Sequence, residues 1–204
     1  MGLHKIIINS VKQSFCNKCI TLVIEAYNSS ISEIHKPYTT DWLENDFTGM
    51  LDKYILDNKK RLHWNINCNT EQHLHDAYKH LTKGYANKEK RIDMSMSHIS
   101  FRNEFHFYIE AKRLKEQDYN LKKRYIETGI DSFISSKYPQ GILIGYLIEG
   151  DTDNTVKGIN DILIKRGRGD EVMVRQNHSI HNNYYESTHA SFGTISHFVL
   201  DYTI

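Results

Sequence analysis

Hydrophobic residues recur at every fourth position in the first segment of the chain. This spacing places them on one face of a helix over residues 3–27, and Asn28-Ser29-Ser30 would end it. The stripe consists of Ile7, Val11, Phe15, Cys19, Val23 and Tyr27. A second amphipathic pattern predicts a helix over residues 43–55, capped by Thr40 or Asp41.

Polar and apolar residues alternate in two later segments, which predicts two neighbouring strands. The alternation runs from Asp93 to Met96 and again, without a break, from Glu104 to Lys112. A strand turns successive side chains to opposite faces, so the second segment has an apolar face for the core and a polar face that includes Glu110. The apolar face carries Phe105, Phe107, Ile109 and Ala111.

The order of the predicted elements indicates the fold class. The other predicted elements are a strand at 62–68, a weaker helix at 71–85, a charged helix at 116–136, a buried strand at 141–148, a helix at 153–166 and strands at 172–174 and 195–202. Helices that come first, then a hairpin, then a helix crossing to a buried strand predict an α/β fold, in which a mixed β-sheet is flanked by helices. We expect a single domain over residues 1–204.

Composition indicates an ordinary globular protein. The 204 residues are 39 % hydrophobic and 25 % charged. The net charge of +1 argues against binding nucleic acid by bulk charge, although a local basic groove is compatible with it. Three cysteines argue against a disulfide framework and favour a reducing compartment.

The apolar segments of the chain are short. No stretch approaches the ~20 apolar residues that a membrane span needs. Polar residues follow the apolar triplet Ile6-Ile7-Ile8 too soon for a secretion signal. We therefore expect a cytoplasmic protein with no membrane partner.

Two carboxylates and a lysine are predicted to converge on the two neighbouring strands. Glu110 and Lys112 lie side by side on the polar face, and Asp93 lies one strand away. Their convergence costs desolvation and repulsion, so a chain keeps them together more readily where a cation binds. Magnesium prefers oxygen ligands and retains waters, so one or two carboxylates and a substrate phosphate are sufficient. Asp93 and Glu110 are therefore the predicted metal ligands, with the carbonyl of Ala111 as a third oxygen.

This set of groups fits phosphodiester hydrolysis, which needs a nucleophilic water, neutralised phosphate oxygens and a stabilised leaving group. Bound magnesium can supply all three, and manganese is the expected substitute. Lys112 is predicted to orient or deprotonate the attacking water, or to balance charge in the transition state.

At these positions the chain resembles the PD-(D/E)XK nuclease superfamily, the restriction-endonuclease-like fold. In that superfamily a core of αβββαβ order carries an aspartate on one strand and E-x-K on the next, which Asp93 and Glu110-Ala111-Lys112 match. Many members hold a helix glutamate in the pattern E-x-x-(I/L/F)-(T/S), which Glu44-Asn45-Asp46-Phe47-Thr48 fits. Ile92 stands where a proline is expected before the aspartate.

The resemblance covers about residues 40–150 and implies a fold and an activity. It implies a core over about 40–165, with the helix 3–27 as an N-terminal extension and strands after the core. The implied activity is that of a magnesium-dependent nuclease acting on DNA, with RNA as the alternative substrate. The resemblance implies four catalytic residues, which are Glu44, Asp93, Glu110 and Lys112.

The resemblance also bears on partners and biological setting. Some small bacterial members accompany restriction or phage-defence systems. Enzymes of this fold often need two active sites to cut both strands, so a homodimer is a reasonable expectation, and a partner protein could direct cleavage. The chief alternative is an inactive member of the fold that binds nucleic acid or a partner protein.

Five cationic side chains are candidates for contacts with the phosphate backbone, which dominates the affinity of proteins for nucleic acid. Three lie in or near the charged helix and two lie in a basic turn after residue 165. They are Lys115, Lys122, Arg124, Arg166 and Arg168. A solvated helix face and a solvated loop are equally compatible with these residues.

Two other chemistries are disfavoured by the sequence. Cys16-x-x-Cys19 lies within a predicted helix, where two semi-buried cysteines are a simpler interpretation than a zinc site. Ser187, His189 and His197 could supply a nucleophile and a base, but such a pair needs an acidic orienter and an oxyanion hole. No G-x-S-x-G elbow is present. We therefore expect the side chains of Ser187, His189 and His197 to contact substrate or to cap strands.

Overall fold

The computed structural model describes residues 2–33, 41–73, 91–100, 103–135 and 138–203. The helices are α1 (Gly2–Glu33), α2 (Glu44–Asp57), α3 (Lys59–His63), α4 (Tyr119–Arg124), α5 (Asp131–Ile134) and α6 (Thr152–Lys165). A π-helical segment (Tyr125–Ile130) joins α4 to α5, and a short 3-10 helix (Gly169–Glu171) follows α6. The strands are β1 (Asn67–His73), β2 (Arg91–Ser100), β3 (Asn103–Lys115), β4 (Gly141–Glu149), β5 (Val174–Arg175), β6 (Tyr184–His189) and β7 (Gly193–Asp201).

The described strands form one mixed sheet in the order β1-β2-β3-β4-β7-β6-β5. The pairs β3–β4 and β4–β7 are parallel, and the other neighbouring pairs are antiparallel. Helices lie on both faces of this sheet, so the predicted mixed α/β class is confirmed. Among the described residues from α2 to β4, the elements follow the order helix, three strands, helical region and strand, with the short α3 inserted before β1.

Each face of the sheet carries its own hydrophobic core. On one face α1 and α2 cover Phe107, Ile109 and Ala111 of β3. On the other face the helices around residues 119–134 and α6 pack on Leu143 and Leu147 of β4. The sequence Gly141–Ile148 is apolar throughout because β4 is buried on both faces, as expected for a central strand.

The first helix is longer than the hydrophobic stripe predicts. Its expected end at Asn28-Ser29-Ser30 is wrong, and α1 continues to Glu33. The hydroxyl of Ser30 is buried, donates to the Tyr27 carbonyl at 2.7 Å and lies 3.2 Å from the hydroxyl of Tyr202. This contact with the C-terminal end of the chain satisfies a serine that would otherwise favour a helix end.

The predicted strand at 62–68 is wrong except for its last two residues, Asn67 and Cys68, which begin β1. Leu62 is exposed in α3, which begins after Asn58, whose side chain accepts a hydrogen bond from the Lys60 amide at 2.9 Å. The predicted helix at 71–85 is wrong for residues 71–73, which belong to β1, and the rest of it lies outside the described residues. The proposed cap at Thr40 also lies outside them.

The second half of the chain follows its predicted pattern more closely. The charged helix at 116–136 is present as α4, the π-helical segment and α5, and Asp118 caps its start by accepting from the Leu121 amide at 3.0 Å. The helix predicted at 153–166 is α6. Strand β6 was not predicted, because its sequence is polar apart from two tyrosines. None of the described helices combines the length and apolar character needed to cross a bilayer.

Candidate functional site

Strands β2 and β3 bring Asp93 against the E-x-K segment. Their ladder runs from the pair Ser100–Asn103 to the pair Met94–Ile109. One residue beyond this ladder, the carboxylate Oδ2 of Asp93 accepts a hydrogen bond from the backbone amide of Ala111 at 2.7 Å. The Asp93 carboxylate therefore pairs with the backbone of β3 at this point, and it lies beside the charged side chains of Glu110 and Lys112.

The ammonium group of Lys112 lies at the centre of the site. Its Nζ is 2.8 Å from Glu110 Oε1, 2.7 Å from the carbonyl oxygen of Ala111, 3.5 Å from Asp93 Oδ2 and 3.8 Å from Glu44 Oε2. The four predicted catalytic residues are therefore brought together, and we call Glu44, Asp93, Glu110 and Lys112 the lysine cluster. The side chain of Lys112 is only 6 % exposed and that of Asp93 is 24 % exposed, so solvent reaches the cluster from the side of Asp93.

Helix α2 delivers Glu44 as its first residue. Asp46 stabilises this helix start by accepting a hydrogen bond from the Leu43 amide at 2.6 Å. Glu44 Oε1 accepts from the Arg113 amide at 3.3 Å, and Oε2 accepts from Arg124 Nη2 at 3.0 Å. A carboxylate is also favoured at a helix N-terminus by the helix dipole. Glu44 is held between a strand, a helix and two cations.

The polar face of β3 is more buried than the alternation suggests. Glu110 and Lys112 are both buried, since the helical region after Asp118 covers them. A Cβ atom placed on Gly129 of the π-helical segment would lie 3.6 Å from Lys112 Cγ, so this segment packs closely on the lysine stem. The covering segment excludes water and strengthens each charge interaction inside.

Burial and charge act in opposite directions on the two titratable groups with clear shifts. The pKa of Asp93 is raised by burial, with help from the charges of Glu110 and Glu44, against the opposing effect of Lys112. Burial would lower the pKa of Lys112, but the carboxylates of Glu110, Asp93 and Glu44 outweigh it and raise that pKa. Lys112 is therefore a charged ammonium at neutral pH, which favours charge balance and orientation over proton abstraction.

Tyr138 is a contact of the cluster that the sequence analysis missed. Its hydroxyl donates a short hydrogen bond to Glu110 Oε2, and its ring is fully buried. Burial, together with the charge and hydrogen bond of Glu110, raises the pKa of Tyr138, so the hydroxyl stays protonated. The residue belongs to no periodic pattern, and no sequence signal could have identified it.

Glu71 is a second missed residue. It lies in β1 with a φ of 50°, an uncommon backbone conformation for a residue other than glycine. Together with Asp93 and Thr48 it lines a cavity of about 70 Å³. Its Oε1 accepts a hydrogen bond from Asn45 Nδ2 at 2.7 Å. Because the sequence predicted a helix at residues 71–85, the position of Glu71 beside the cluster was missed.

The donor atoms of the cluster fit a hard cation. Three carboxylates and the Ala111 carbonyl surround one positive group, and oxygen is the ligand that Mg²⁺ and Mn²⁺ prefer. The ammonium of Lys112 lies among these oxygens. Within the described ranges there is no group of three or more His, Cys, Asp or Glu side chains already arranged to hold a metal. Cys16 and Cys19 are free thiols of α1.

The five candidate phosphate-binding cations each have an acidic or carbonyl partner. Lys115 pairs with Glu149 at 3.0 Å, Lys122 Nζ donates to the Glu116 carbonyl at 2.6 Å, Arg124 pairs with Glu44, Arg166 pairs with Glu127 at 2.9 Å, and Arg168 pairs with Asp131 and Glu171. Of these five, Arg124 touches the lysine cluster, and its side chain is half exposed. These partners of the other four lie outside the lysine cluster, and their role in binding stays a prediction.

Ser187 lies in a continuous series of buried hydrogen bonds, which we call the histidine row. Glu171 Oε2 is 2.7 Å from His189 Nδ1, and Ser187 Oγ is 2.7 Å from both His189 Nε2 and His197 Nε2. His197 Nδ1 lies 3.0 Å from the Tyr125 hydroxyl. The acidic orienter exists after all, but Ser187 is only 1 % exposed, so this nucleophile cannot reach a substrate.

The chain matches no protein-family model, no curated protein and no solved structure. An account of its function therefore depends on the geometry of its own residues.

Proposed function

We propose that this protein is a metal-dependent nuclease of the PD-(D/E)XK type that hydrolyses phosphodiester bonds, most readily those of DNA. The observation that carries the proposal is the lysine cluster itself. Glu44, Asp93 and Glu110 come from a helix and two strands and converge on one buried ammonium. The element order from α2 to β4, which matches αβββαβ apart from the short α3, supports the same assignment.

The ligand set follows from the arrangement of oxygens around Lys112 Nζ. Asp93, Glu110 and the carbonyl of Ala111 would hold Mg²⁺, or Mn²⁺ in its place. A bound divalent ion supplies an activated water and neutralises phosphate oxygens. A divalent ion held by these oxygens would compete with the ammonium of Lys112, since two cations close together repel each other.

The protein groups around the ligands have distinct roles in this proposal. Lys112 stays protonated and so orients the attacking water and balances the charge of the transition state. Glu44 contacts both Lys112 and Arg124, and it thereby connects Arg124 to the rest of the cluster. Arg124 is half exposed beside these groups, where its guanidinium can donate hydrogen bonds to a phosphate of the substrate.

The test compares cleavage of plasmid DNA by the wild type, Asp93→Asn and Glu110→Gln with Mg²⁺, with Mn²⁺ and with a chelator. The expected result is metal-dependent cleavage by the wild type and a loss of at least about 100-fold in each variant. Glu104→Gln is the matched control, because Glu104 lies on the same strand but is exposed and paired with His106.

The possible outcomes distinguish the residue assignment, the substrate and the nuclease activity itself. Equal cleavage by wild type and both cluster variants would reject the assigned residues. Cleavage of RNA but not of DNA under the same conditions would keep the chemistry and correct the substrate. Absence of cleavage of either polymer would reject the nuclease activity.

One observation favours a second candidate function, that of an inactive member of the same fold that binds nucleic acid or a partner protein. Lys112 and Arg124 balance two of the three carboxylate charges of the cluster. Isothermal titration with Mg²⁺ distinguishes the two candidates. The nuclease is expected to release or absorb heat as the ion binds, and Asp93→Asn should abolish that signal, whereas a binding module shows no such signal.

A further inference from the structure

The two oxygens of the Glu110 carboxylate have different partners. Oε1 faces the centre of the cluster and lies 2.8 Å from Lys112 Nζ. Oε2 faces the other way and accepts the short hydrogen bond from the hydroxyl of Tyr138. The carboxylate is therefore held in one orientation, with Oε1 directed toward Lys112 at the centre of the cluster.

The position of Tyr138 is fixed by packing. Its ring lies 5.7 Å from that of Tyr108 in a stacked arrangement and 5.1 Å from that of Phe133, which meets it edge-on. The chain after Tyr138 lies tightly on β3, because a Cβ atom at Gly141 would be only 1.9 Å from the Tyr108 carbonyl oxygen. This packing places the Tyr138 hydroxyl beside Glu110.

Divalent ions differ in the number of oxygens that they take from one carboxylate. Mg²⁺ demands an almost ideal octahedron at short distances and takes one oxygen from each carboxylate, whereas the larger Ca²⁺ accepts six to eight oxygens and often binds both oxygens of a carboxylate. A carboxylate with one oxygen already engaged by a buried hydroxyl suits the smaller ion.

We infer that Tyr138 is a positioning residue that determines the cation selectivity of the lysine cluster, by restricting Glu110 to one ligand oxygen and so favouring Mg²⁺ over Ca²⁺. This inference rests on the proposed function, since it concerns the metal that the cluster would bind. Beyond the proposed function, it names the residue that sets the selectivity of that metal site and gives the physical reason for it.

The experiment is isothermal titration of Mg²⁺ and, separately, Ca²⁺ into the full chain of the wild type and of Tyr138→Phe. The variant keeps the buried ring and removes only the hydroxyl. The ratio of Mg²⁺ affinity to Ca²⁺ affinity is expected to fall at least about tenfold in Tyr138→Phe, in line with the effect of groups that orient metal ligands. Tyr108→Phe is the matched control, because it removes a hydroxyl from the ring stacked on Tyr138, and its ratio should equal that of the wild type.

The ratio separates a selectivity role from a structural one. General loosening of the fold would weaken the binding of both ions together and leave their ratio unchanged. An unchanged ratio in Tyr138→Phe, with both ions bound, overturns the inference and leaves the proposed function standing. Tighter binding of Ca²⁺ than of Mg²⁺ by the wild type also overturns it, without need of a variant. Binding of neither ion by the wild type overturns the inference and the proposed metal site together.

Discussion

The lysine cluster and the histidine row are two buried polar networks of the same sheet, and they differ in charge and access. The cluster concentrates three carboxylates around one ammonium and is open beside Asp93, whose side chain is 24 % exposed. The row has one carboxylate, Glu171, and its serine and both histidines are buried. Surplus negative charge near solvent attracts a cation, whereas a closed row needs no ligand.

Hydrogen-bond accounting in the row supports this difference. The Tyr125 hydroxyl can donate to His197, His197 to Ser187, Ser187 to His189, and His189 to Glu171. Each donor then meets one acceptor with both imidazoles neutral, which satisfies the buried groups. Burial lowers the pKa of His189 and, more strongly, that of His197, which agrees with neutral rings. A row of this kind stabilises the packing of β6 and β7 against the helix of Tyr125.

The largest expected effect comes from Lys112→Met, which removes the ammonium and keeps much of the stem. Cleavage should fall at least about 100-fold, because charge stabilisation in the transition state is lost. Binding of Mg²⁺ should become at least about tenfold tighter, because the cation no longer competes with a positive group for the same oxygens. Plasmid cleavage and isothermal titration measure the two effects.

Lys157→Met is the control for this variant, because Lys157 is an exposed lysine of α6 paired with Asp161 at 3.0 Å. It should change neither quantity. Weaker binding of Mg²⁺ by Lys112→Met would contradict the competition between ammonium and metal ion.

A smaller effect, on stability and not on cleavage, is expected from Ser187→Ala. The substitution leaves a buried nitrogen of His189 and one of His197 without their shared partner, which should lower the free energy of unfolding by about 1–3 kcal/mol. Urea unfolding measures this change. Cleavage by the folded variant should stay within about threefold of the wild type.

The matched control is Ser132→Ala, whose hydroxyl bonds a helix carbonyl near the surface, at 2.7 Å from the Thr128 oxygen. It should lower stability by less than about 0.5 kcal/mol. A loss of cleavage in Ser187→Ala comparable to that of Lys112→Met would show that the row takes part in chemistry and would break the distinction between the two networks.

The smallest effect is a change in the pH dependence of stability caused by His197→Gln. Burial, with a contribution from His189, lowers the pKa of His197 from 6.5 to about 3. Between these two pH values the unfolded chain binds a proton that the folded chain does not, so this group lowers the stability as the pH falls from 6.5 toward 3. Its contribution is at most about 1.4 kcal/mol per pH unit.

His197→Gln cannot titrate, so its free energy of unfolding should fall less steeply than that of the wild type between pH 6 and pH 4. Urea unfolding at a series of pH values gives both slopes. Asp93, whose pKa is raised, acts in the opposite sense but is present in both proteins and cancels in the comparison. Parallel slopes would indicate that His197 is protonated within the fold.

The strands of the candidate site were predictable because the alternation of polar and apolar residues is a local property of the sequence. The alternation from Glu104 to Lys112 matches the alternating burial of the first half of β3, and it places Glu110 and Lys112 on the same side of the strand. The pattern failed at Leu62, where a local cap by Asn58 forms a helical turn. It also missed β6, whose two tyrosines pack into the hydrophobic cores while its serine and histidine are buried through hydrogen bonds.

The sequence by itself determined the α/β class, the two neighbouring strands and the convergence of Asp93, Glu110 and Lys112, because periodicity and the spacing of charged residues are properties of the chain. Glu44 was predicted from the family resemblance. Only the tertiary structure decided how deeply Lys112 is buried among the carboxylates, that Tyr138 holds one oxygen of Glu110, and that Ser187 is closed to substrate. These facts depend on which distant segments pack together, and burial then sets the charge state and the accessibility of each group.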